Sequence, residues 1–150
     1  MKILYDHQTF TWQEYGGISR YYTELITNIP KCSTFEPILP NIFSNNCNLD
    51  AFQIKHRHFF KNIQFKGKVP IMDRINEIKM KNFLKSEKYD IFHPTYYDSY
   101  FLNYINKRPF VITVYDLIHE IYPQYFSNSE QLINNKRKLV EKSQKKMRNN

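Results

Sequence analysis

The sequence predicts an α/β domain in which helices flank a parallel sheet. Short apolar runs alternate along the chain with stretches whose apolar residues recur at helical spacing, and this alternation is typical of βαβ units. Hydrophobic residues make up 41% of the 150 residues, which is enough for one core. A chain of this length has room for one domain of typical size.

The first segments predict the opening of a βαβ unit. Residues 2–6 form a short apolar run that predicts a buried strand, and a polar loop is expected over residues 7–15. Gly16 and Gly17 follow, and a helix is predicted from Ile18 to Pro30, where the proline should end it. Its apolar positions are Ile18, Tyr21, Tyr22, Leu25, Ile26 and Ile29.

The middle of the chain predicts one edge strand and one helix. Residues 35–39 could form the second strand, and Pro37 would confine it to an edge of the sheet. Residues 41–70 predict no clear element, although 55–61 is basic and interleaved with aromatics. Residues 71–84 return to helical spacing, with a stripe of Ile71, Met72, Ile75, Ile78, Phe83 and Leu84.

The last third predicts two more strands and a final helix. Residues 90–93 resemble a strand that ends in a polar residue, and Phe110–Val114 is the clearest buried strand of the sequence. Ser127 and Glu130 have the spacing of a capping box. The helix that follows has apolar positions at Leu132, Ile133, Leu139, Val140 and Met147.

The net charge of +8 is concentrated near the C-terminus. Residues 136–148 contain seven positive side chains and one negative side chain, and so supply +6 of the total. A solvated helix face is the favoured interpretation, with an anionic membrane surface or nucleic acid as alternatives. Nucleic acid is the less favoured partner, because the remaining residues carry only +2 and no recognised binding motif.

Cysteine usage and hydropathy indicate a cytoplasmic protein. Cys32 and Cys47 form no CxxC motif and no Cys/His pair at metal spacing, so two free thiols are expected. Asp6 interrupts the apolar start at once, and no run of about 18 apolar residues occurs. A peripheral position at the inner membrane face is compatible with the basic tail.

The residues that follow the predicted strands indicate where a site would lie. In open parallel sheets, ligands bind beyond the carboxyl ends of the strands. Asp6 and His7 follow the first strand, and His93 ends the strand over 90–93. After Phe110–Val114 come Tyr115, Asp116, His119 and Glu120. Three segments are therefore expected to bring histidines and acidic groups to one edge of the sheet.

Each of these positions also has a structural alternative. Gly16 and Gly17 could supply positive φ angles before a helix, or allow a phosphate or sugar to approach the helix start. His93 could serve only to end a strand. Asp116 and His119 are three residues apart and would share a helical face, which suits general-base catalysis or transition-state stabilisation. Local helix capping is the competing role of Asp116.

Several common chemistries are excluded by missing motifs. The sequence has no GxxxxGK[ST] loop, no GxSxG elbow and no HExxH pair. It also has no GxGxxG dinucleotide fingerprint. The absence of an Asp-x-Asp pair weighs against a metal-dependent sugar transferase.

Four segments together resemble the N-terminal domain of bacterial family-4 glycosyltransferases. They are residues 2–7 (KILYDH), 15–21 (YGGISRY), 89–97 (YDIFHPTYY) and 111–123 (VITVYDLIHEIYP). Their order and rough spacing match the family, whereas residues 32–88 carry no resemblance. Tyr115 stands where many relatives have histidine, and His119 is expected to take that role.

The resemblance implies a GT-B enzyme with two Rossmann-like domains that face each other across a cleft. The N-terminal domain mainly receives the acceptor, and the C-terminal domain holds the nucleotide-sugar donor. Such enzymes typically retain anomeric configuration, and we expect no metal or other cofactor. The resemblance assigns catalysis to Asp116 and His119, and substrate binding to Gly16, Gly17, Arg20, His93, Tyr96, Tyr97 and Glu120. The glycines would lie beside the donor phosphates.

Residues 1–150 are thus expected to be the acceptor-side half of such an enzyme. The domain should be truncated at its C-terminus, with the donor domain absent, and should be inactive alone because transfer needs both substrates positioned together. The acceptor would be a glycan or a lipid-linked sugar of bacterial surface polysaccharide synthesis. Two alternatives are an acceptor subunit that pairs with a separate donor-domain chain, and a non-catalytic acceptor- or membrane-binding module.

Overall fold

Three parallel strands form the sheet of this domain. The computed structural model describes residues 1–86, 88–126 and 130–148. Strand β1 is Lys2–Tyr5, β2 is Glu36–Ile38 and β3 is Ile91–His93, in the order β2-β1-β3. Both pairings of β1 are parallel, so the predicted α/β class with a Rossmann-like parallel sheet is confirmed.

Strand β2 lies at an edge, as its proline predicts. Ile3 of β1 pairs with Pro37 on one side and with Ile91 of β3 on the other. Proline lacks a backbone N–H, and an edge position tolerates that loss.

Six helices and two short 3₁₀ turns connect and cover the strands within the described residues. The helices are α1 (Gln8–Trp12), α2 (Gly17–Cys32), α3 (Cys47–Ala51), α4 (Lys68–Lys85), α5 (Ile118–Ile121) and α6 (Glu130–Arg148), and the 3₁₀ turns are Tyr100–Asn103 and Pro123–Tyr125. None of these helices is both long enough and apolar enough to cross a bilayer.

The alternation of side chains along β1 divides the buried residues into two clusters. Successive residues of a strand point to opposite faces. Leu4 packs with residues of α4 and α6, including Met80 and Leu139. Ile3 and Tyr5 belong to the second cluster, which contains Phe10, Tyr22, Ile42 and Leu49. Each face of the sheet therefore has its own apolar layer.

Two predictions about the N-terminal segments are wrong. Residues 7–15 are not simply a polar loop, because they contain α1, whose polar residues Gln8 and Thr9 are buried. Their hydrogen bonds, described below, satisfy these polar groups inside the domain. Pro30 also does not end α2, which continues to Cys32. The missing N–H of Pro30 removes one helical hydrogen bond, and only two residues of the helix follow it.

The predicted strand Phe110–Val114 is also wrong beyond its first residue. Phe110 forms an isolated parallel bridge with Phe92, and the backbone N–H of Val111 donates to the carbonyl of Phe92 at 2.9 Å. The chain then continues without strand pairing, and Val111 and Val114 are 49% and 43% exposed. A β-branched apolar run fits an extended segment beside a sheet as well as a buried strand.

Helix α4 is confirmed, but its buried face differs from the predicted stripe. Met72 and Leu84 are buried, whereas Ile71 and Ile78 are about half exposed. The buried positions recur every four residues and include the polar Asn76, whose amide donates to Thr11 Oγ1 at 2.9 Å and to the Phe43 carbonyl at 2.7 Å. The apolar pattern missed this face because a hydrogen-bonded amide takes the place of a hydrophobic residue.

Helix α6 begins at Glu130, where the capping box predicted a helix. Leu139 is fully buried, and Leu132, Ile133 and Val140 are partly buried, as the pattern indicated. Ser127 lies outside the described residues, as does the side chain of Met147.

Candidate site at the carboxyl edge of the sheet

The fully buried carboxylate of Asp6 joins the ends of β1 and β3. Its Oδ1 accepts hydrogen bonds from the backbone N–H and the hydroxyl of Thr95, at 2.8 and 2.7 Å. Its Oδ2 accepts from Gln8 Nε2 at 2.7 Å and from the Tyr100 hydroxyl at 3.2 Å. Several donors thus replace the water that a buried carboxylate would lose. Asp6 therefore has a structural role here, because it holds together the segments that follow β1 and β3.

The same network fixes the start of α1. The backbone N–H of Thr9 donates to Thr95 Oγ1 at 3.1 Å. The Gln8 amide exchanges two hydrogen bonds with the backbone of Asp98, at 3.1 and 2.9 Å. Helix α1 is therefore tied to the loop after β3 by polar side chains that sit inside the domain.

His93 ends β3 and is buried among aromatic side chains. Its Nε2 lies 2.9 Å from Thr113 Oγ1 and 3.4 Å from the Tyr22 hydroxyl. The imidazole also packs against the rings of Tyr5 and Tyr22. Burial lowers the pKa of His93 to about 4, and the negative charge of Asp6 opposes this only partly. His93 is therefore neutral at physiological pH and suits hydrogen bonding better than proton transfer.

Tyrosines from three segments fill the space behind this edge. The backbone N–H of Tyr115 donates to the hydroxyl of Tyr97, and the Tyr115 hydroxyl donates to the Thr95 carbonyl, both at 3.1 Å. Tyr115 also packs edge-on against Tyr21 and Tyr22 of α2. Burial raises the pKa of Tyr97 to about 12 and that of Tyr115 further. These hydroxyls are neutral hydrogen-bonding groups.

Asp116 and His119 lie at the exposed end of the same segment. Asp116 is exposed, and its Oδ1 accepts from the backbone N–H of Ile118 at 3.3 Å, a local contact just before α5, whose N-cap residue is Leu117. His119 lies in α5, and its ring stacks on Phe126 with a centroid distance of 4.4 Å. Its buried Nδ1 has no hydrogen-bond partner among the residues that the structure describes. The contacts of these two residues do not include each other, so their catalytic role stays a prediction.

Glu120 forms an ion pair with a nearly buried lysine. Lys136 of α6, whose side chain is 4% exposed, lies 3.0 Å from Glu120 Oε1 and 2.8 Å from the Asp116 carbonyl. Burial acts to raise the pKa of Glu120, but the hydrogen bond and charge of Lys136 more than offset this and hold it below its usual value. The contact gives Glu120 a structural role, and its predicted substrate contact stays a prediction.

The glycine pair begins α2 without an unusual backbone conformation. Gly16 is extended, with φ of 164°, and Gly67 is the glycine with positive φ among the described residues. The structural alternative based on positive φ is therefore wrong. A Cβ on Gly16 would lie 2.6 Å from Gln13 Oε1, whereas one on Gly17 would meet nothing within 4 Å. Arg20, one turn later, is largely exposed and lies 3.8 Å from Glu24.

A cleft opens at this edge of the sheet beside Tyr96 and Tyr97. Its volume is about 490 Å³. The lining comes from α1, the loop after β3 and α6, and consists of Gln8, Thr9, Trp12, Gln13, Tyr96, Tyr97, Asp98, Gln131, Leu132 and Asn135. Burial raises the pKa of Tyr96, and the negative charge of Asp116 raises it further.

The predicted site residues are thus brought together only in part. His93 contacts Thr113, and Tyr97 contacts Tyr115, so two of the predicted segments meet. Gly17 and Arg20 do not line the cleft. Sequence reasoning missed Trp12 and Gln13, because it read residues 7–15 as a loop. The sole tryptophan, placed just after the first strand, was the available signal.

A second group of chemistry-bearing side chains lies outside the cleft. Within the described ranges, Asp50, His56 and His58 are the one group of three histidine, cysteine or acidic residues that could hold a metal ion. Sequence reasoning missed it, although the His-x-His spacing in the basic stretch 55–61 was visible.

No protein-family model, curated protein or solved structure matches this chain.

Proposed function

We propose that this chain binds a carbohydrate acceptor in the cleft, as the acceptor-side domain of a GT-B glycosyltransferase that uses a nucleotide-sugar donor. The cleft carries the proposal. It lies at the carboxyl edge of a parallel sheet, where α/β domains bind ligands. Its lining combines the accessible rings of Trp12 and Tyr96 with amides and the carboxylate of Asp98. Most of the polar groups of the neighbouring Asp6 network are already hydrogen-bonded within the domain.

This lining matches the chemistry of a sugar ring. A pyranose has apolar C–H faces that pack on aromatic rings and hydroxyls that need donors and acceptors of both kinds. Trp12 is 59% exposed, and its indole N–H donates to Asp73 Oδ1 at 3.1 Å, which fixes the ring. Amides such as Gln13 and Asn135 can donate and accept at once. A few polar groups on an aromatic wall are typical of a site that orients a ligand.

The resemblance supplies the reaction in this proposal. Asp116 and His119 would face the donor domain, and the exposure of the Asp116 carboxylate is compatible with that position. Neutral His93 would hold the segment that carries them through its contact with Thr113. Because the donor has to be placed against the acceptor, the chain alone should bind a glycan without transferring a sugar.

Fluorescence of Trp12 tests acceptor binding directly, since it is the only tryptophan. Purified chain would be titrated with oligosaccharides that contain glucose, galactose or N-acetylglucosamine, and separately with UDP-glucose. We expect saturable changes in emission with at least one oligosaccharide, and no sugar transfer from UDP-glucose. Gln13→Ala and Asn135→Ala should weaken the response roughly tenfold, the equivalent of one or two hydrogen bonds.

A matched control separates this result from surface effects. Tyr15 is 79% exposed and does not line the cleft, so Tyr15→Ala should leave the titration unchanged. Emission that no oligosaccharide alters would contradict acceptor binding in this cleft. Sugar transfer by the chain alone would contradict the need for a donor domain.

A membrane-binding module is the second candidate, favoured by an exposed apolar segment. Seven large apolar side chains between residues 111 and 125 are at least 43% exposed, namely Val111, Val114, Leu117, Ile118, Ile121, Tyr122 and Tyr125. Val114 and Leu117 line a shallow hollow together with Arg137 of α6. Apolar side chains beside basic residues are typical of surfaces that bind anionic lipid.

Vesicle co-sedimentation tests this second candidate. Vesicles that contain phosphatidylglycerol should retain the chain at low salt, and Arg137→Gln with Lys138→Gln should release it. Retention on neutral phosphatidylcholine vesicles to the same extent would contradict an electrostatic membrane contact.

A further inference from the structure

We propose that Asp50, His56 and His58 form a binding site for Zn²⁺. Asp50 lies in α3, and both histidines belong to the segment that follows it. One carboxylate oxygen and two imidazole nitrogens are ligands that Zn²⁺ prefers. The site is separate from the cleft and does not depend on the proposed function.

The distances between the ligand atoms fit a tetrahedral zinc ion. Asp50 Oδ1 lies 3.3 Å from His56 Nε2 and 3.3 Å from His58 Nε2. Ligands about 2.0–2.1 Å from a tetrahedral Zn²⁺ are about 3.3–3.4 Å apart. All three ligand atoms lie within 4.8 Å of one another. An ion could therefore enter with small movements of the side chains.

His56 is oriented as a metal ligand and has an unused nitrogen. Its Nδ1 lies 2.8 Å from the Ile54 carbonyl, which accepts the Nδ1 N–H, so Nε2 is the ring nitrogen that faces Asp50. The His56 side chain is only 7% exposed, and among the described residues its Nε2 makes no hydrogen bond, although Asp50 Oδ1 lies 3.3 Å away. Histidines that bind metals commonly donate their second N–H to a carbonyl in this way. A buried ring nitrogen that faces a carboxylate without a hydrogen bond to it is suited to share a cation with that carboxylate.

The backbone holds the two histidines on the same side. Arg57, between them, forms a parallel bridge with Phe43, and its N–H and carbonyl both pair with residues 42–44. Phe59 is held in turn by two hydrogen bonds with the Asn45 side chain, at 2.8 and 3.0 Å. In an extended segment, residues two apart point to the same face. The site is therefore largely formed before any ion binds.

The ammonium group of Lys61 lies beside two of the proposed ligands, at a position that a cation can occupy. Its Nζ lies 3.1 Å from Asp50 Oδ2 and 3.3 Å from His58 Nε2. Because an ammonium only donates, the His58 Nε2 that it approaches presents a lone pair. The Lys61 side chain is 52% exposed and can leave toward solvent when Zn²⁺ binds. Lys61 is then a competitor of the metal, and the fourth coordination position is open to water.

Calorimetric titration with Zn²⁺ tests the site on tag-free chain that carries Cys32→Ser and Cys47→Ser. The substitutions are needed because Cys47 lies three residues before Asp50 and its thiol could bind zinc. We expect one Zn²⁺ per chain, and Co²⁺ in its place should give the visible absorption of a tetrahedral ion. Mg²⁺ should not bind, since it prefers oxygen ligands.

The variants distinguish this site from adventitious binding. Asp50→Asn and His58→Ala should each weaken Zn²⁺ binding at least about tenfold, because loss of even an outer-shell partner costs that much. Lys61→Met should strengthen binding, since it removes the competing ammonium. His119→Ala removes a histidine elsewhere in the chain and should leave the Zn²⁺ affinity unchanged.

Two results would overturn the proposal. One is the absence of a one-to-one Zn²⁺ titration in the thiol-free chain. The other is binding that Asp50→Asn and His58→Ala leave unchanged. Asp50→Asn and His58→Ala replace exposed side chains, so both variants should fold, and a thermal melt would verify this. The test therefore does not need a variant of the more buried His56.

Discussion

Oδ1 of Asp6 lies 2.7 Å from the hydroxyl and 2.8 Å from the backbone nitrogen of Thr95, so one buried carboxylate connects the ends of β1 and β3. The Thr95 hydroxyl also accepts from the backbone N–H of Thr9 in α1. This network reaches the cleft, because α1 supplies three of its lining residues, Gln8, Thr9 and Trp12. The position of the candidate site therefore depends on a polar network at the strand ends as well as on the apolar core.

Asp6→Asn should destabilise the domain by about 3 kcal/mol. The amide of asparagine would turn an N–H₂ group toward donors that now point at a carboxylate, and leave buried donors without an acceptor. Urea unfolding at neutral pH measures the change in the free energy of unfolding. Asp98→Asn, in an exposed residue of the neighbouring loop, should cost less than about 0.5 kcal/mol. Equal effects of the two substitutions would contradict a special role for Asp6.

His93 should make the stability of the domain fall as the pH is lowered from about 6.5 toward 4. Burial lowers its pKa in the folded protein to about 4, from its ordinary value of 6.5. The unfolded chain therefore binds the proton first, and the stabilisation is complete above pH 6.5 and is lost as the pH falls through 4. The full difference is about 3 kcal/mol.

The pH prediction is tested by urea unfolding of wild type and His93→Gln between pH 4.5 and 7.5. Glutamine keeps a polar group near Thr113 but does not titrate. The variant should lose less stability than wild type over this range. Parallel profiles would show that His93 does not titrate differently in the folded and unfolded states, since the other histidines are present in both proteins.

The fold could be predicted where local pattern and tertiary packing agree. The apolar run before Asp6 is β1, and Pro37 placed β2 at an edge, because both signals act through the backbone of the strand itself. The strand predicted from Phe110 was wrong beyond its first residue, because β-branched residues favour an extended chain whether or not it lies in a sheet. Whether a partner strand stands beside it depends on distant residues. Asn76 and the residues of α1 were missed because hydrogen bonds satisfy their buried polar groups.

The site could be predicted only as an edge of the sheet. The strand-end rule indicated His93 and the loop with Tyr96 and Tyr97, both of which lie at that edge. It gave no indication of Trp12, whose position depends on α1. The Asp50 and His56 pair was equally hidden, since their approach depends on a reversal of the chain between them. The separation of two residues in the sequence does not by itself determine how close their side chains lie on either side of a turn.

The ion pair of Glu120 with Lys136 should stabilise the docking of α6. Lys136→Met should cost about 2 kcal/mol, between the ~3–5 kcal/mol of a fully buried pair and the 0–1 kcal/mol of an exposed one. Lys136 is nearly buried, whereas Glu120 keeps some contact with water. The double variant Glu120→Gln with Lys136→Met should recover part of the loss, because no unpaired carboxylate remains. Urea unfolding of Lys136→Met, Glu120→Gln and the double variant gives the coupling energy of the pair, and purely additive effects would contradict it.

Gln53→Gly should stabilise the domain by about 0.5–1 kcal/mol. Helix α3 ends in a Schellman motif, in which the N–H of Ile54 donates to the Leu49 carbonyl and that of Gln53 to the Asp50 carbonyl. Gln53 occupies the left-handed position with φ of 54°, where a side chain costs about 1–2 kcal/mol. The greater freedom of glycine in the unfolded chain removes part of that gain.

Gln53→Ala is the matched control, since alanine keeps the left-handed penalty and should bring no gain. A destabilised glycine variant in thermal and urea unfolding would show that the glutamine side chain itself holds the turn that brings His56 to Asp50. A stabilised alanine variant would show that the gain does not come from relief of the left-handed conformation.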